Sequence, residues 1–269
     1  MVCFGDLPGE YALEKSSKIV VLPIPYDGTS TWVKGSDKGP EALLEASANM
    51  ELYDIETDSE VYLHGIHTAP AVSENKSPED MVQAAEKEAL KYIDSGKFLV
   101  TIGGEHSVSI GPIQAHAKRY KNLSVLQIDA HTDLRDSYQG SKNNHACVMA
   151  RAQELCPIVQ VGIRSMDSGE MERLDGSRVF WAHRIAQGNE WMDKAIDLLT
   201  ENVYLTVDLD GFDPSILPST GTPEPGGLQW YQVLSFLKKV IGRRNLVGFD
   251  IVELCPNPYE KSSDFLAAK

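Results

Sequence analysis

Six short apolar runs, each followed by a helical stretch, constrain the fold of this chain more than any other feature. They span residues 18–22, 98–102, 124–129, 158–161, 203–208 and 247–252 and are rich in Val, Ile, Leu and Phe. Two of them, KFLVTI and LSVLQI, are nearly continuous in apolar residues, as a strand covered on both faces requires. Weaker strand signals lie at 61–63 and 179–181. Helical patterns fill the gaps at 41–50, 78–95, 108–120, 145–155, 191–201 and 231–241, with Ser77 placed as an N-cap and Pro78 at the first helical position. Strand followed by helix, repeated, predicts an α/β fold with a mainly parallel sheet and helices on both of its faces.

The chain has 269 residues, enough to bury a large core. No repeat, low-complexity tract or Pro/Ser-rich linker divides it, so one domain over residues 1–269 is expected. Two loops, 26–38 and 213–227, are long and rich in Gly, Pro, Ser and Thr; such loops in a compact α/β domain are usually functional and are candidate walls of a pocket. The formal charge of −14 sets the chain against nucleic acid and anionic lipid and in favour of a small cation. Cys3, Cys147, Cys156 and Cys255 are scattered with no CxxC pair, which reads as free thiols in a reducing cytoplasm. No apolar run approaches the roughly 18 residues of a membrane span.

The chemistry-bearing residues sit at the carboxyl ends of four strands. Gly103-Gly104-Glu105-His106 follows KFLVTI, Asp129 to Asp133 follows LSVLQI, Asp208-Leu209-Asp210 follows VYLTV, and Asp250 and Glu253 close the last run. That edge of a parallel sheet is where ligands bind, so four distant segments are expected to converge on one crevice. Asp129, His131 and Asp133 are spaced i, i+2, i+4, and Asp208 and Asp210 are spaced i, i+2; in extended chain each set projects to one side. With His106 they make two imidazoles and four carboxylates, a set able to hold two divalent ions about 3.5–4 Å apart. It contains no thiolate, and oxygen-dominated ligands favour Mn²⁺ over Zn²⁺. The Gly103-Gly104 pair lacks a phosphate-loop spacing and reads as close backbone approach.

GGEHS, DAHTDLRD, DLDGFDPS and DIVELCPNP, in that order, resemble the ureohydrolase family of arginases and agmatinases over nearly the whole chain. The resemblance implies a three-layer α/β/α fold and a binuclear manganese centre, two Mn²⁺ per chain, that hydrolyses a guanidino group to urea and an amine. Carried over, His106, Asp129, His131, Asp133, Asp208 and Asp210 are the ligands. Glu253 matches the carboxylate that receives the guanidinium, and His145 in NNHACVMARA matches a proton-shuttling histidine that also meets substrate. Asp133 is expected to move a proton to the leaving amine.

Family members often carry Gly and then Pro after that histidine, where this chain has Ala146 and Cys147. The stretch RDSYQGSKNN at 135–144 resembles the agmatinase version more than the arginase one. Agmatine, hydrolysed to putrescine and urea, is therefore the expected substrate, with Asp136 expected near the site mouth to receive its distal ammonium. Arginine, guanidinobutyrate, guanidinopropionate and aminopropylagmatine are the alternatives, and a non-catalytic metal-binding protein of the same fold is a remoter one. A mononuclear zinc deacetylase of related fold is disfavoured by the six ligands. The resemblance also implies a homo-oligomer, trimeric or hexameric; a final helix is expected to begin at Ser263, where family members usually continue further.

Overall fold

The computed structural model describes residues 2–269. Eight strands form one sheet: β1 (Ile19–Ile24), β2 (Ile66–Thr68), β3 (Phe98–Gly103), β4 (Leu123–Ile128), β5 (Ile158–Ile163), β6 (Val179–Trp181), β7 (Asn202–Asp208) and β8 (Asn245–Val252). Their order is β2-β1-β3-β8-β7-β4-β5-β6, and every pairing is parallel. The four strands that carry the acidic and histidine motifs, β3, β8, β7 and β4, are thus four neighbours at the centre of the sheet. β3 and β4 are consecutive in sequence but are separated by β8 and β7, and such a break in strand order opens a crevice at the carboxyl edge.

Among the described residues eight α-helices cover the sheet: α1 (Gly39–Ser47), α2 (Pro78–Asp94), α3 (Ile110–Arg119), α4 (Val148–Gln153), α5 (Ala182–Ile185), α6 (Trp191–Asp197), α7 (Trp230–Arg243) and α8 (Ser262–Ala268). Two cores result. One is built by α2, α3 and α4 with Val20, Leu22 and Ile24 of β1 and Val125 of β4. The other is built by α1, α6, α7 and α8 with Val21 of β1 and Leu126 and Ile128 of β4. Successive residues of one strand serve opposite cores, which explains why the sheet's sequences are apolar without alternating. The architecture is three-layer α/β/α.

Ser77 caps α2 as expected, its Oγ accepting from the Asp80 N–H at 3.0 Å, with Pro78 at the helix start. The expected strand at 61–63 is instead a 3-10 turn, Val61–His64, and the strand lies just beyond it. Gly65 separates the two at φ +76°, a left-handed conformation that reverses the chain. The patterns at 108–120 and 145–155 each open with a 3-10 turn, at His106–Ser109 and His145–Cys147, before α-helix begins.

His116 of α3 is fully buried, with its ring 4.6 Å from that of Tyr204 and its Nδ1 donating to the Pro112 carbonyl at 2.7 Å. Burial pushes its pKa down to about 4. As pH falls below about 6.5 the unfolded chain takes up this proton first, so stability should drop by up to about 3 kcal/mol between pH 6.5 and 4 and level off below. His116→Asn retains a donor toward Pro112 and cannot titrate. Denaturant unfolding of both metal-free proteins at pH 7 and pH 4.5 should show a smaller acid loss in the variant; equal losses contradict the assignment.

Candidate metal centre and substrate cavity

His106 stands at the start of the 3-10 turn after β3, and the turn exists because the chain there runs against β1. Gly104 and Glu105 donate their N–H groups to the Ile24 and Tyr26 carbonyls, both at 2.9 Å. A Cβ on Gly104 would come within 2.0 Å of the Tyr26 carbonyl oxygen, so only glycine fits. The close backbone approach expected at this pair is therefore made with the end of β1.

Five of the six candidate ligands come together in two groups that share Asp129, and the sixth, Asp133, lies beside His106. The donor atoms of His106, Asp129 and Asp208 lie within 4.8 Å of one another, as do those of Asp129, His131 and Asp210. His106 Nδ1 is 3.2 Å from Asp129 Oδ2, 2.9 Å from Asp133 Oδ2 and 3.3 Å from Asp208 Oδ2. His131 Nδ1 is 3.0 Å from Asp210 Oδ2 and 3.6 Å from Asp129 Oδ1. Asp129 thus turns one oxygen to each group.

Backbone contacts fix which oxygen points inward. Asp208 Oδ1 accepts from the Asp210 N–H at 2.9 Å, and Asp210 Oδ1 accepts from the Ala130 N–H at 3.0 Å, leaving each Oδ2 for the cluster. Asp129 is held by the His131 N–H on Oδ1 at 2.5 Å and by Gln127 Nε2 on Oδ2 at 2.6 Å. The residues converge through turns and not through extended alternation. β4 ends at Ile128, Asp133 adopts φ +51°, and Asp208 caps a 3-10 turn, Leu209–Gly211. Asp133 can hold that conformation because its carbonyl accepts from the Met149 and Ala150 N–H groups at the start of α4.

These residues fit a pair of divalent ions. His106 Nδ1 is buried, has no hydrogen-bond partner, and faces three carboxylate oxygens. Burial, and then the charges of Asp210 and Asp129, lift the Asp208 carboxyl well above the usual carboxylate range; burial and Asp129 lift Asp133 to about 7. Burial depresses His131, yet Asp210 and Asp129 outweigh it and raise the imidazole to about 12. Four crowded carboxylates outnumber the two imidazoles, and a pair of cations held by these residues would offset them.

A cavity of about 290 Å³ opens above the cluster. Trp32 and Val33 of the loop at 26–38 line it, as do Gly221 and Thr222 of the loop at 213–227, so both loops singled out in the sequence are walls. Arg164 braces the second loop, its guanidinium donating to the Asp210 carbonyl at 2.6 Å and the Glu224 carbonyl at 2.8 Å. Glu224 Oε1 lies 3.8 Å from His131 Nε2.

Glu253 reaches the cavity from just beyond β8. Its backbone is left-handed at φ +68°, its N–H donates to the Gly104 carbonyl at 2.7 Å, and its Oε1 accepts from the His106 N–H at 2.7 Å. Burial, and then the nearby charge of Glu105, push its carboxyl well above the usual range. An acid so placed is stabilised by a bound cation.

His145 lies across the cavity. Thr29 accepts its backbone N–H at 3.0 Å, faces its Nδ1 at 3.1 Å, and donates its own hydroxyl to Glu105. The Thr29 proton is therefore spent on Glu105, so His145 Nδ1 carries a proton toward Thr29 and Nε2 is left as the basic nitrogen. Burial, and then the His106 and His131 charges, depress His145 to about 4, which keeps it neutral. Thr29 and Glu105 were not singled out from the sequence as functional residues, although Glu105 lies inside the GGEHS motif.

Asp136 is not brought to the cavity. Its carboxylate pairs with Arg151 at 3.1 Å, Arg173 at 2.5 Å and Lys142 at 3.5 Å. Three cations already satisfy it, so the expectation that it receives the substrate's distal ammonium is withdrawn. The polar residues that do line the outer cavity are Arg135, Tyr138, Asp167 and Glu170. Arg135 lies over the Tyr138 ring and is 3.4 Å from Glu170 and 3.5 Å from Asp167, so its charge is offset where a cationic ligand would pass.

Residues 17–269 match the model of the arginase family. The chain belongs to the arginase family. Among its relatives, the N(1)-aminopropylagmatine ureohydrolase of Synechocystis sp. is 41% identical over 93% of this chain and 86% of that protein. The agmatinase of Pyrococcus horikoshii is 34% identical over 95% of this chain and 90% of that protein. Among solved structures, the agmatine ureohydrolase of Thermoplasma volcanium superposes with a TM-score of 0.88 and 32% identity, covering 100% of this chain and 91% of that one. The two-group carboxylate and imidazole cluster fits a binuclear metal site in this arginase-family protein.

Proposed function

We propose that this arginase-family ureohydrolase uses two Mn²⁺ to hydrolyse agmatine to putrescine and urea. The observation that carries the reading is the buried Glu253, its free oxygen facing the same cavity as the two carboxylate and imidazole groups. When bound, the metal pair supplies Lewis acidity and makes hydroxide available near neutral pH. His106, Asp129, Asp133 and Asp208 would hold one ion; Asp129, His131 and Asp210 would hold the other.

Glu253 pairs with the guanidinium in a charge-assisted contact and fixes its carbon over the cluster, which converts an encounter into a positioned attack. As hydroxide bonds to the guanidinium carbon, the Asp133 oxygen not facing His106 carries the proton of that hydroxide to the departing nitrogen, so that the C–N bond breaks to a neutral amine and urea. His145 Nε2, neutral and basic, exchanges protons with solvent at the cavity mouth. The tail of the substrate meets Asp167 and Glu170, whose two charges exceed that of Arg135 between them and favour a cationic tail over a carboxylate.

A second reading, N1-aminopropylagmatine, is favoured by the 41% identical relative and by this acidic rim, which would also suit a second ammonium. Urea release from a panel of guanidino compounds tests both. The expected order places agmatine and its aminopropyl derivative above arginine in kcat/KM. A higher value for arginine would overturn the substrate assignment while leaving the ureohydrolase assignment intact. A monomer by light scattering would contradict the homo-oligomer that we also propose from the family resemblance.

A further inference from the structure

Asp250 lies in one of the four motifs, yet it has no part in the metal cluster or the cavity. It is fully buried in β8, directly opposite Thr206 of β7 in the parallel register. Tyr204 lies two residues earlier in β7 on the same face. One carboxylate therefore reaches two hydroxyls: Tyr204 donates to Asp250 Oδ2 at 2.7 Å and Thr206 donates to Asp250 Oδ1 at 2.7 Å. The Tyr204 ring is clamped in turn by His116, 4.6 Å away.

Thr206 is also 2.9 Å from His106 Nε2. A hydroxyl has a single proton, and here Asp250 takes it, so the Thr206 oxygen only accepts from His106. His106 Nε2 then carries the imidazole proton. In the neutral imidazole that metal ligation requires, Nδ1 then bears the lone pair, and that is the atom facing Asp129, Asp133 and Asp208.

We propose that Asp250, Thr206 and Tyr204 form a positioning relay that holds His106 in the tautomer able to ligate and so sets metal affinity in the His106 half of the centre. Among the described residues no comparable relay reaches His131. Its Nδ1 also faces the cluster, but its Nε2 has Glu224 at 3.8 Å and its side chain is partly open to solvent. The two halves of the centre should therefore respond differently when the relay is cut. Asp250→Asn keeps the shape but can place an amide N–H against Thr206. The hydroxyl would then donate to His106 and force the proton onto Nδ1.

The inference rests on the binuclear centre proposed above and makes no use of the substrate. Metal-free wild type, Thr206→Val, Thr206→Ser and Asp250→Asn would be titrated with Mn²⁺ and followed by electron paramagnetic resonance and calorimetry. Wild type should fill two sites and develop the spectrum of a spin-coupled pair. Thr206→Val and Asp250→Asn should bind a first ion with little change and the second about 10- to 100-fold more weakly, with the coupled spectrum delayed accordingly. Thr206→Ser, which keeps the hydroxyl, should restore wild-type binding and shows that the effect is not one of packing. Wild-type affinity at both sites in Thr206→Val, or equal weakening of both sites without rescue by serine, overturns the relay. A wild type that never forms a metal pair overturns the centre itself and is seen before any variant is compared.

Discussion

Asp129→Ala is expected to lower urea formation by at least about 10³-fold, equivalent to about 4 kcal/mol of barrier. Asp129 is the residue common to both ligand groups, one oxygen facing each, so its loss weakens both halves together. The fold should survive. Deleting the carboxylate leaves the His131 N–H without its acceptor, at about 1–3 kcal/mol, while the Gln127 amide keeps the His131 carbonyl at 3.2 Å. It also removes the repulsion that raises Asp133 and Asp208, which offsets that cost in the metal-free protein. Thermal unfolding separates the two effects. Wild type loaded with Mn²⁺ should lose several degrees of Tm on chelation, because ligand binding to the folded state is removed, whereas the variant's Tm should not respond to chelator. A variant that retains metal-dependent Tm and activity would show that Asp129 is not the shared ligand.

Glu253→Gln is expected to reduce kcat/KM for every guanidino substrate by roughly 10- to 150-fold, or about 1.5–3 kcal/mol. The amide can still accept from the His106 N–H, so the loop and the metal ligand remain in place. What is lost is the negative charge that the guanidinium requires, and the new NH₂ opposes the donors of the substrate. The effect should be shared across the panel, since all candidates present the same guanidinium. Substitutions at Asp167 or Glu170 on the rim should instead change the ranking of substrates by their tails. A Glu253→Gln enzyme impaired for agmatine alone would assign Glu253 to the tail and contradict the proposed orientation.

Most strands and the ligand set were legible in the sequence because both are local signals. Continuous apolar runs reported strands covered on two faces, and Asp and His clusters at their ends reported the edge where they sit. The strand order was not legible. Sequence places the motifs after β3, β4, β7 and within β8, and only long-range pairing makes those four strands adjacent. Edge elements were also obscure: β2 has three residues, and its apolar signal was shared with the 3-10 turn before Gly65. The i, i+2, i+4 spacing pointed to residues that do cluster, but extended alternation is not what gathers them: left-handed Asp133 and the turn after Asp208 bring them together. Asp136 failed as a candidate because acidity at a mouth cannot be told from acidity already neutralised by Arg151 and Arg173, which lie 15 and 37 residues away in sequence. Thr29 was hidden for the same reason: its partners, Glu105 and His145, come from distant segments.

The account turns on two metal ions acting on one guanidinium. The most direct test adds Mn²⁺ stepwise to metal-free protein while bound metal and urea release from agmatine are measured in the same samples. Urea release should rise with occupancy and saturate at two ions per chain. Full activity at one bound ion per chain, or no urea at any occupancy, would contradict it.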